Sequence, residues 1–260
     1  MSVYNSADFL SEAIESILNQ TYKNFEFLII DDCSTDNSPD VIKSFQNKDE
    51  RINFFRNKHR EGLTKNLNKL NKIATGKYLA RMDADDIAYS SRFEKQMKFL
   101  YDNPKIEILG SYAKDIDHQG NILSNRKVPI EHEKIIKLLP ILSPIIHPTV
   151  FIKKETFDFL NGYNEKYDNA QDLDLWFRAY IDGFQFHNLP DYLLYYRVKE
   201  DYSFINNFKK RMNDVKVRIN GYKQINYPMY KYYNIIISII LAIIPYKIFK
   251  LLKNYDPRTS

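Results

Sequence analysis

The sequence holds a single cysteine, Cys33, so no disulfide can form within it and its fold has to rest on an apolar core. That suits a reducing compartment. Cys33 stands in a turn among polar residues with no base near it in sequence, which fits a small turn residue better than a nucleophile. Glycine is scarce too, 7 in 260 residues, and it is nowhere gathered into a loop that could cradle phosphate. This argues against a nucleotidyltransferase built on such a loop. No internal repeat or low-complexity tract is visible, and no signal peptide is expected ahead of the fold. The longest apolar run, IIISIILAIIPY at 235–246, falls short of the roughly 18 to 20 residues that span a bilayer.

What is present is a globular composition. Hydrophobic residues make up 44% and charged residues 27%, enough for one domain with a sizeable core, with or without a tail. The formal charge of +5 permits contact with phosphates or an anionic membrane and requires neither. No nucleic-acid partner is expected.

Helical and strand patterns alternate through the first half. ADFLSEAIESILNQ carries an apolar stripe at Phe9, Leu10, Ala13, Ile14, Ile17 and Leu18. FEFLIID reads as a strand, SPDVIKSFQN as a helix opened by Ser38 and Pro39, and RINFFR as a strand. GLTKNLNKLNKIATG is a helix closed by Gly76, KYLARMD a strand, and SRFEKQMKFLYDN a helix ended by Pro104. Such alternation predicts a mostly parallel sheet covered by helices on both faces, with ligands at the carboxyl ends of its strands. Beyond Gly120 the pattern loosens. HEKIIKLL, ETFDFL and QDLDLWFRAYI read as helices, HPTVFIKKE and YLLYYRV contain strands, and YNEKYDNA is a loop.

Acids gather where strands end. MDADD at Met82–Asp86 places three carboxylates within four positions, and they repel one another unless something positive sits among them. D-x-D spacing after a strand suits a hard divalent cation, Mg²⁺ or Mn²⁺, whose remaining ligands come from phosphate and water. A solvated acidic loop is the alternative. In IIDDCSTD, Asp32 can accept hydrogen bonds from a base or ribose, while Asp36 or Ser38 caps the following helix. In QDLDLW, Asp172 and Asp174 point different ways from a helix, so one faces a crevice; Asp172 read alone also fits a helix N-cap.

Taken in order, these segments resemble the family 2 glycosyltransferases. The stretch from Ser2 to Ser38, the block GLTKNLNKLNKIATGKYLARMDADD with SRFEKQMKFL after it, and then HPTVFIKKE, LNGY and AQDLDLWFR carry the resemblance. It implies a GT-A, Rossmann-like fold and transfer of a sugar from a nucleotide-diphospho-sugar to a glycan or lipid-linked acceptor. It also implies an inverting mechanism with Mn²⁺ or Mg²⁺. By the same resemblance Ser2 and Tyr4 lie against the nucleotide base and Asp32 binds it. Asp83 lies near ribose and metal, Asp85 coordinates the metal, and Asp172 is the general base. The GT-A domain is expected over 1–200, with a nucleotide-sugar half at about 1–112 and an acceptor half at about 113–200. His147 is expected to be a hydrogen-bonded structural residue and Trp176 a core residue.

Two departures accompany the resemblance. Members usually open with a central strand, which here is expected to be missing, with Met1 and Ser2 at its last positions; a start upstream of Met1 is the expectation. Lys65 or Arg60 stands in for an arginine that many members carry, and both also fit solvated surface cations. Residues 201–260 read as a basic helix and an apolar tail, with Lys247, Lys250 and Lys253 suited to anionic headgroups. The resulting expectation is a cytoplasmic enzyme, peripheral at the inner face of the membrane, in cell-surface polysaccharide or lipopolysaccharide synthesis. The rivals are a non-catalytic nucleotide-binding remnant and another nucleotide-handling transferase.

Overall fold

The computed structural model describes residues 1–198, 204–236 and 239. Two β-sheets form the frame. The first is small and parallel, in the order β1 (Ser2–Val3), β2 (Phe27–Asp31), β3 (Ile52–Arg56). Helices α1 (Ala7–Leu18) and α2 (Ser38–Gln46) connect these strands. α1 buries Leu10, Ala13, Ile14 and Ile17, the stripe that its 3.6-residue period sets against the sheet. Its first turn is capped from a distance: Asp36 accepts the Ala7 N–H at 3.0 Å and, through its other oxygen, the Ser38 N–H at 3.0 Å. The opening strand, expected to be missing, is present as the two residues Ser2–Val3, in register with Ile30 and Asp31. The Met1 ammonium donates to Leu28 O at 2.7 Å; burial, with the Arg81 charge adding to it, lowers its pKa to about 5.

α3 (Leu63–Ile73) leads across to the second sheet. It starts at Gly62, whose φ of 91° only glycine adopts readily. The second sheet runs β4 (Tyr78–Ala80), β8 (Phe151–Lys153), β6 (Ile106–Ile116), β9 (Gln185–Arg197), β5 (Ile87–Ala88), with β7 (Ile122–Arg126) as a hairpin partner of β6. Among the described residues only β6 and β9 pair in parallel there; β4–β8, β6–β8, β5–β9 and β6–β7 are antiparallel. Mostly parallel pairing therefore holds for the first sheet and gives way in the second. The reason is in the connections: β7 follows β6 through a tight turn, and short strands enter from opposite directions.

α4 (Arg92–Asp102) covers one face of the frame. α5 (His132–Leu138), α6 (Lys154–Phe159), α7 (Gln171–Ile181) and α8 (Phe204–Gln224) surround the other end. There the core closes around Trp176, fully buried as expected, with Phe186 and Ile108 beside it. α8, from the segment read as tail, packs on this core through Val215, Val217 and Tyr222. Gly221 lies against the Phe177 ring, and a Cβ there would come within 2.6 Å of it. Among the described residues no helix is long and apolar enough to cross a membrane. Most of the apolar run 235–246, and the lysines after it, lie outside the described residues.

Candidate active site

The chain leaves β4 at Arg81, whose N–H bonds Val150 O at 2.8 Å, and turns through Met82–Asp86 before β5 begins. Asp83, Asp85 and Asp86 each present an oxygen, and the three lie within 4.8 Å of one another. What offsets this negative charge is partly protein. Arg81 Nη1 sits 2.5 Å from Asp83 Oδ1, with the Arg81 side chain 6% exposed. The Arg197 N–H donates to Asp86 Oδ1 at 2.8 Å and its Nε to Asp85 O at 2.9 Å. Arg92, fully buried, donates to Arg81 O at 2.8 Å, and burial pulls its pKa down to about 9.

The compensation is incomplete. Asp86 is buried, its Oδ2 has no hydrogen-bond partner, and its pKa is raised well above the carboxylate range, first by burial and then by the charges of Asp83 and Asp85. A buried acid whose charge is disfavoured by burial and by its neighbours is what a cation among hard oxygen donors would relieve.

Asp172 stands in the first turn of α7. The helix N-cap is Ala170, in left-handed backbone at φ 60°, so capping is not the role of Asp172. Its pKa is raised by burial, against the Leu173 N–H and the more distant Arg81 charge. Arg81 and Tyr163 both feel the charge field around Asp83, and both interact with Asp172, so the two acids share these neighbours. Tyr163 OH bonds His147 Nε2 at 2.8 Å. Burial drives this pair toward neutrality, the histidine well down and the tyrosine up. His147 is the hydrogen-bonded structural residue expected of it. Asp174 turns the other way and pairs with Arg178 at 2.8 Å.

Asp32 closes the carboxyl end of β2. Its Oδ1 accepts from Asn57 Nδ2 and the Glu61 N–H, and its Oδ2 from the Gly62 N–H, each at 2.8 Å. Burial alone would raise its pKa, but these bonds hold it below the usual value. Asn57 Nδ2 also reaches Asn66 Oδ1, and Asn66 Nδ2 donates to Ser2 Oγ at 3.1 Å, so Ser2 and Asp32 belong to one network. Tyr4 is 38% exposed beside it, with the Arg60 guanidinium 3.9 Å from its ring centre. Cys33 has φ 63°, in keeping with its reading as a turn residue, and Lys65 is exposed.

α3 joins the two corners. Asn66 serves the Asp32 network, while two residues to either side of it Thr64 Oγ1 donates to Tyr167 O at 2.8 Å and Asn68 Nδ2 to Tyr163 O at 2.9 Å. The sequence reading counted Asp86 in the acidic run without giving it a role, and missed Asn57, Asn66, Tyr163 and the arginines 81, 92 and 197. Only Arg81 carried a signal, as the lone cation beside the acidic run in ARMDADD.

The chain matches the family model of glycosyl transferase family 2 over residues 1–159. An uncharacterized glycosyltransferase of Methanocaldococcus jannaschii is 37% identical over 81% of this chain and 73% of its own length. The O-antigen biosynthesis glycosyltransferase WbnJ of Escherichia coli is 32% identical over 76% of this chain and 78% of its own. Among solved structures, S. aureus TarS 1–349 in complex with UDP-GlcNAc superposes with a TM-score of 0.68 at 18% identity, covering 93% of this chain and 70% of that one. Mannosyltransferase PcManGT from Pyrobaculum calidifontis, with GDP-Man and Mn²⁺, gives 0.65 at 15% identity, covering 98% of this chain and 77% of that one. At these identities the two structures speak for the fold. With a family model across more than half its length and relatives above 30% identity over three quarters of it, this chain belongs to glycosyl transferase family 2 and is a glycosyltransferase of the GT-A fold.

Proposed function

We propose that this glycosyltransferase is metal-dependent and inverting, and moves a sugar from a nucleotide-diphospho-sugar to a hydroxyl of a glycan or lipid-linked acceptor in cell-surface polysaccharide synthesis. The observation that carries the reading is the acidic turn Asp83–Asp86, whose acids share Arg81 and Tyr163 with Asp172. The E. coli relative, named for O-antigen biosynthesis, supports the acceptor class, and TarS with UDP-GlcNAc supports the donor class.

The oxygens of Asp83 and Asp85, with Asp86 behind them, fit a hard divalent cation such as Mn²⁺ or Mg²⁺. When bound, it would offset charge on the departing nucleoside diphosphate as a Lewis acid. Ser2, Tyr4 and Asp32 form the nucleotide end. Three of the roughly four acceptor positions of the Asp32 carboxylate are filled by protein, which leaves one on Oδ2 for the base and fixes the loop at 57–62 beneath it. Asp172 takes the proton from the acceptor hydroxyl; its raised pKa strengthens it as an acceptor once ionised. One base and no enzyme nucleophile on the donor side give a single displacement, hence inversion.

Donor binding and transfer with Mn²⁺ test this. Asp172→Asn should lower transfer by about 10³-fold or more, in the upper part of the range for a lost general base, while donor affinity changes little. A variant that loses donor binding instead refutes the base assignment.

We further infer the domain division given above and peripheral attachment at the cytoplasmic membrane face. Met229, Tyr230, Tyr233 and Ile236 are 84%, 75%, 56% and 58% exposed at the base of the apolar run. Tyr232 and Ile235 face the core, so the informative truncation ends at 236. Equal pelleting of that truncation and the full chain with anionic vesicles rules the run out as the anchor.

A further inference from the structure

β5 and β9 form a short antiparallel ladder that runs up to the acidic turn. Tyr89 N–H bonds Leu193 O at 3.1 Å, and the register sets Ile87 opposite Tyr195. Bonded pairs alternate along such a ladder, so the next is Asp85 opposite Arg197, with the Arg197 N–H due at Asp85 O. That rung is rebuilt from side chains. The Arg197 N–H goes instead to Asp86 Oδ1 at 2.8 Å, and Asp85 O takes Arg197 Nε at 2.9 Å. The exchange lets the chain leave the sheet at Asp86 with both backbone groups still bonded.

The rest of the guanidinium holds two other parts of the frame. Nη1 donates to Asp117 O at 3.0 Å and His118 O at 2.9 Å, in the turn between β6 and β7. Nη2 donates to Glu12 Oε2 at 2.9 Å, and the group lies 4.2 Å from the centre of the Phe9 ring, both on α1. Four of its five N–H groups are thus engaged, and the side chain is 3% exposed. Charge balance is a separate task. The cation that acts most on Asp86 is Arg81, whereas the Arg197 guanidinium faces carbonyls and Glu12. Three like charges push their turn open unless its backbone is held.

We propose that Arg197 is a positioning residue of the donor site, clamping the backbone of the acidic turn to α1 and to the β6–β7 turn. The clamp keeps the Asp83 and Asp85 oxygens converged on one cation. It also fixes their distance from Ser2 and Tyr4, which stand just ahead of α1. This role rests on the cation and donor assignments made above. Residues that orient metal ligands without touching the metal change its affinity by roughly 10–100-fold. A lysine cannot take over, because one ammonium lacks the planar fork that reaches the turn, the hairpin and α1 together.

Arg197→Lys keeps the charge and removes the fork. Mn²⁺ binding, read by water-proton relaxation without donor, should weaken by about tenfold or more. Hydrogen exchange without metal should quicken at the amide of position 197 and stay native along β6. Native Mn²⁺ affinity in this variant overturns the proposal. So does faster exchange throughout the second sheet with no selective change at 197, which would make Arg197 an ordinary part of the frame. Should the variant fail to fold, Glu12→Ala decides, since Glu12 is 60% exposed and its loss releases only the α1 end of the clamp. A site weaker by about two- to fourfold, below the range for a direct outer partner, supports the proposal, and an unchanged one overturns it. A native chain that takes up no Mn²⁺ refutes the cation assignment and this role with it. A native response that Arg197→Lys leaves unaltered refutes the clamp alone.

Discussion

Two corners of this molecule put carboxylates at the ends of strands and treat them in opposite ways. At the end of β2, Asp32 meets three donors and its pKa falls. At the end of β4, Asp86 meets two further acids and an orphaned oxygen, and its pKa rises. In sequence the two clusters look alike. The difference lies in what the fold brings against them: backbone N–H groups of a returning loop in one case, like charges in the other. An acid met by donors is stabilised as its anion and held in place, whereas an acid under repulsion is poised for something positive.

The largest expected effect follows from breaking the strained corner. Asp85→Asn should lower transfer by about 10³-fold, ~4 kcal/mol of barrier, and abolish any rise in melting temperature on adding Mn²⁺. Stability without metal should hold or increase, because one of three mutually repelling charges is gone. A variant that transfers normally and still responds to Mn²⁺ would mean the acidic turn is a solvated loop.

Arg81→Met tests the same corner from its positive side. Removing one partner of a buried ion pair costs about 3–5 kcal/mol, and the low end applies because Asp83 is 29% exposed and keeps contact with water. Urea unfolding reads this loss. Mn²⁺ should restore more stability to the variant than to the native chain, since a bound cation takes over part of the neutralisation. Equal restoration in both would separate Arg81 from the acids' charge balance.

That Arg81 matters was only half legible in sequence, and the reason is general. The apolar stripes of α1 and α3 specify helices because neighbours three and four apart share a face, so Leu10, Ile14, Leu67 and Leu70 announce themselves. The acids at strand ends announce themselves as well. Their partners do not: Arg197 reaches Asp86 from 111 positions away, and the Glu61 and Gly62 amides reach Asp32 from 29 and 30 away. Strand direction was hidden for a similar reason. β5 is two residues long and β7 is the polar ILSNR, too short or too hydrophilic for period alone to mark.

Asp32→Asn probes the satisfied corner. It should cost ~2 kcal/mol, within the range for hydrogen bonds to a charged acceptor, and lower the melting temperature by roughly 4–8 °C. The pH dependence follows from the sign of the shift. Because the folded pKa lies below the ordinary value of 3.8, the native carboxylate contributes stability above that value and loses it as pH falls through the folded pKa. The gap between native and variant should therefore be widest at neutral pH and close below about pH 4. A gap that persists in acid would locate the loss in packing rather than in the charge.

The smallest effect sharpens the comparison within one cluster. Asp36 lies four residues from Asp32, is exposed, and likewise has both oxygens engaged, by the Ala7 and Ser38 N–H groups. Asp36→Ala removes a cap that α1 receives from across the loop, a change worth ~1 kcal/mol. Transfer measured well below the melting temperature should stay within about twofold of native, because Asp36 gives both oxygens to the Ala7 and Ser38 N–H groups and acts through the frame. If transfer falls tenfold while stability falls by no more than a cap is worth, Asp36 takes part in donor binding. Saturation by backbone donors would then fail as a sign that a carboxylate is structural, and the contrast between the two corners would have to rest on charge alone.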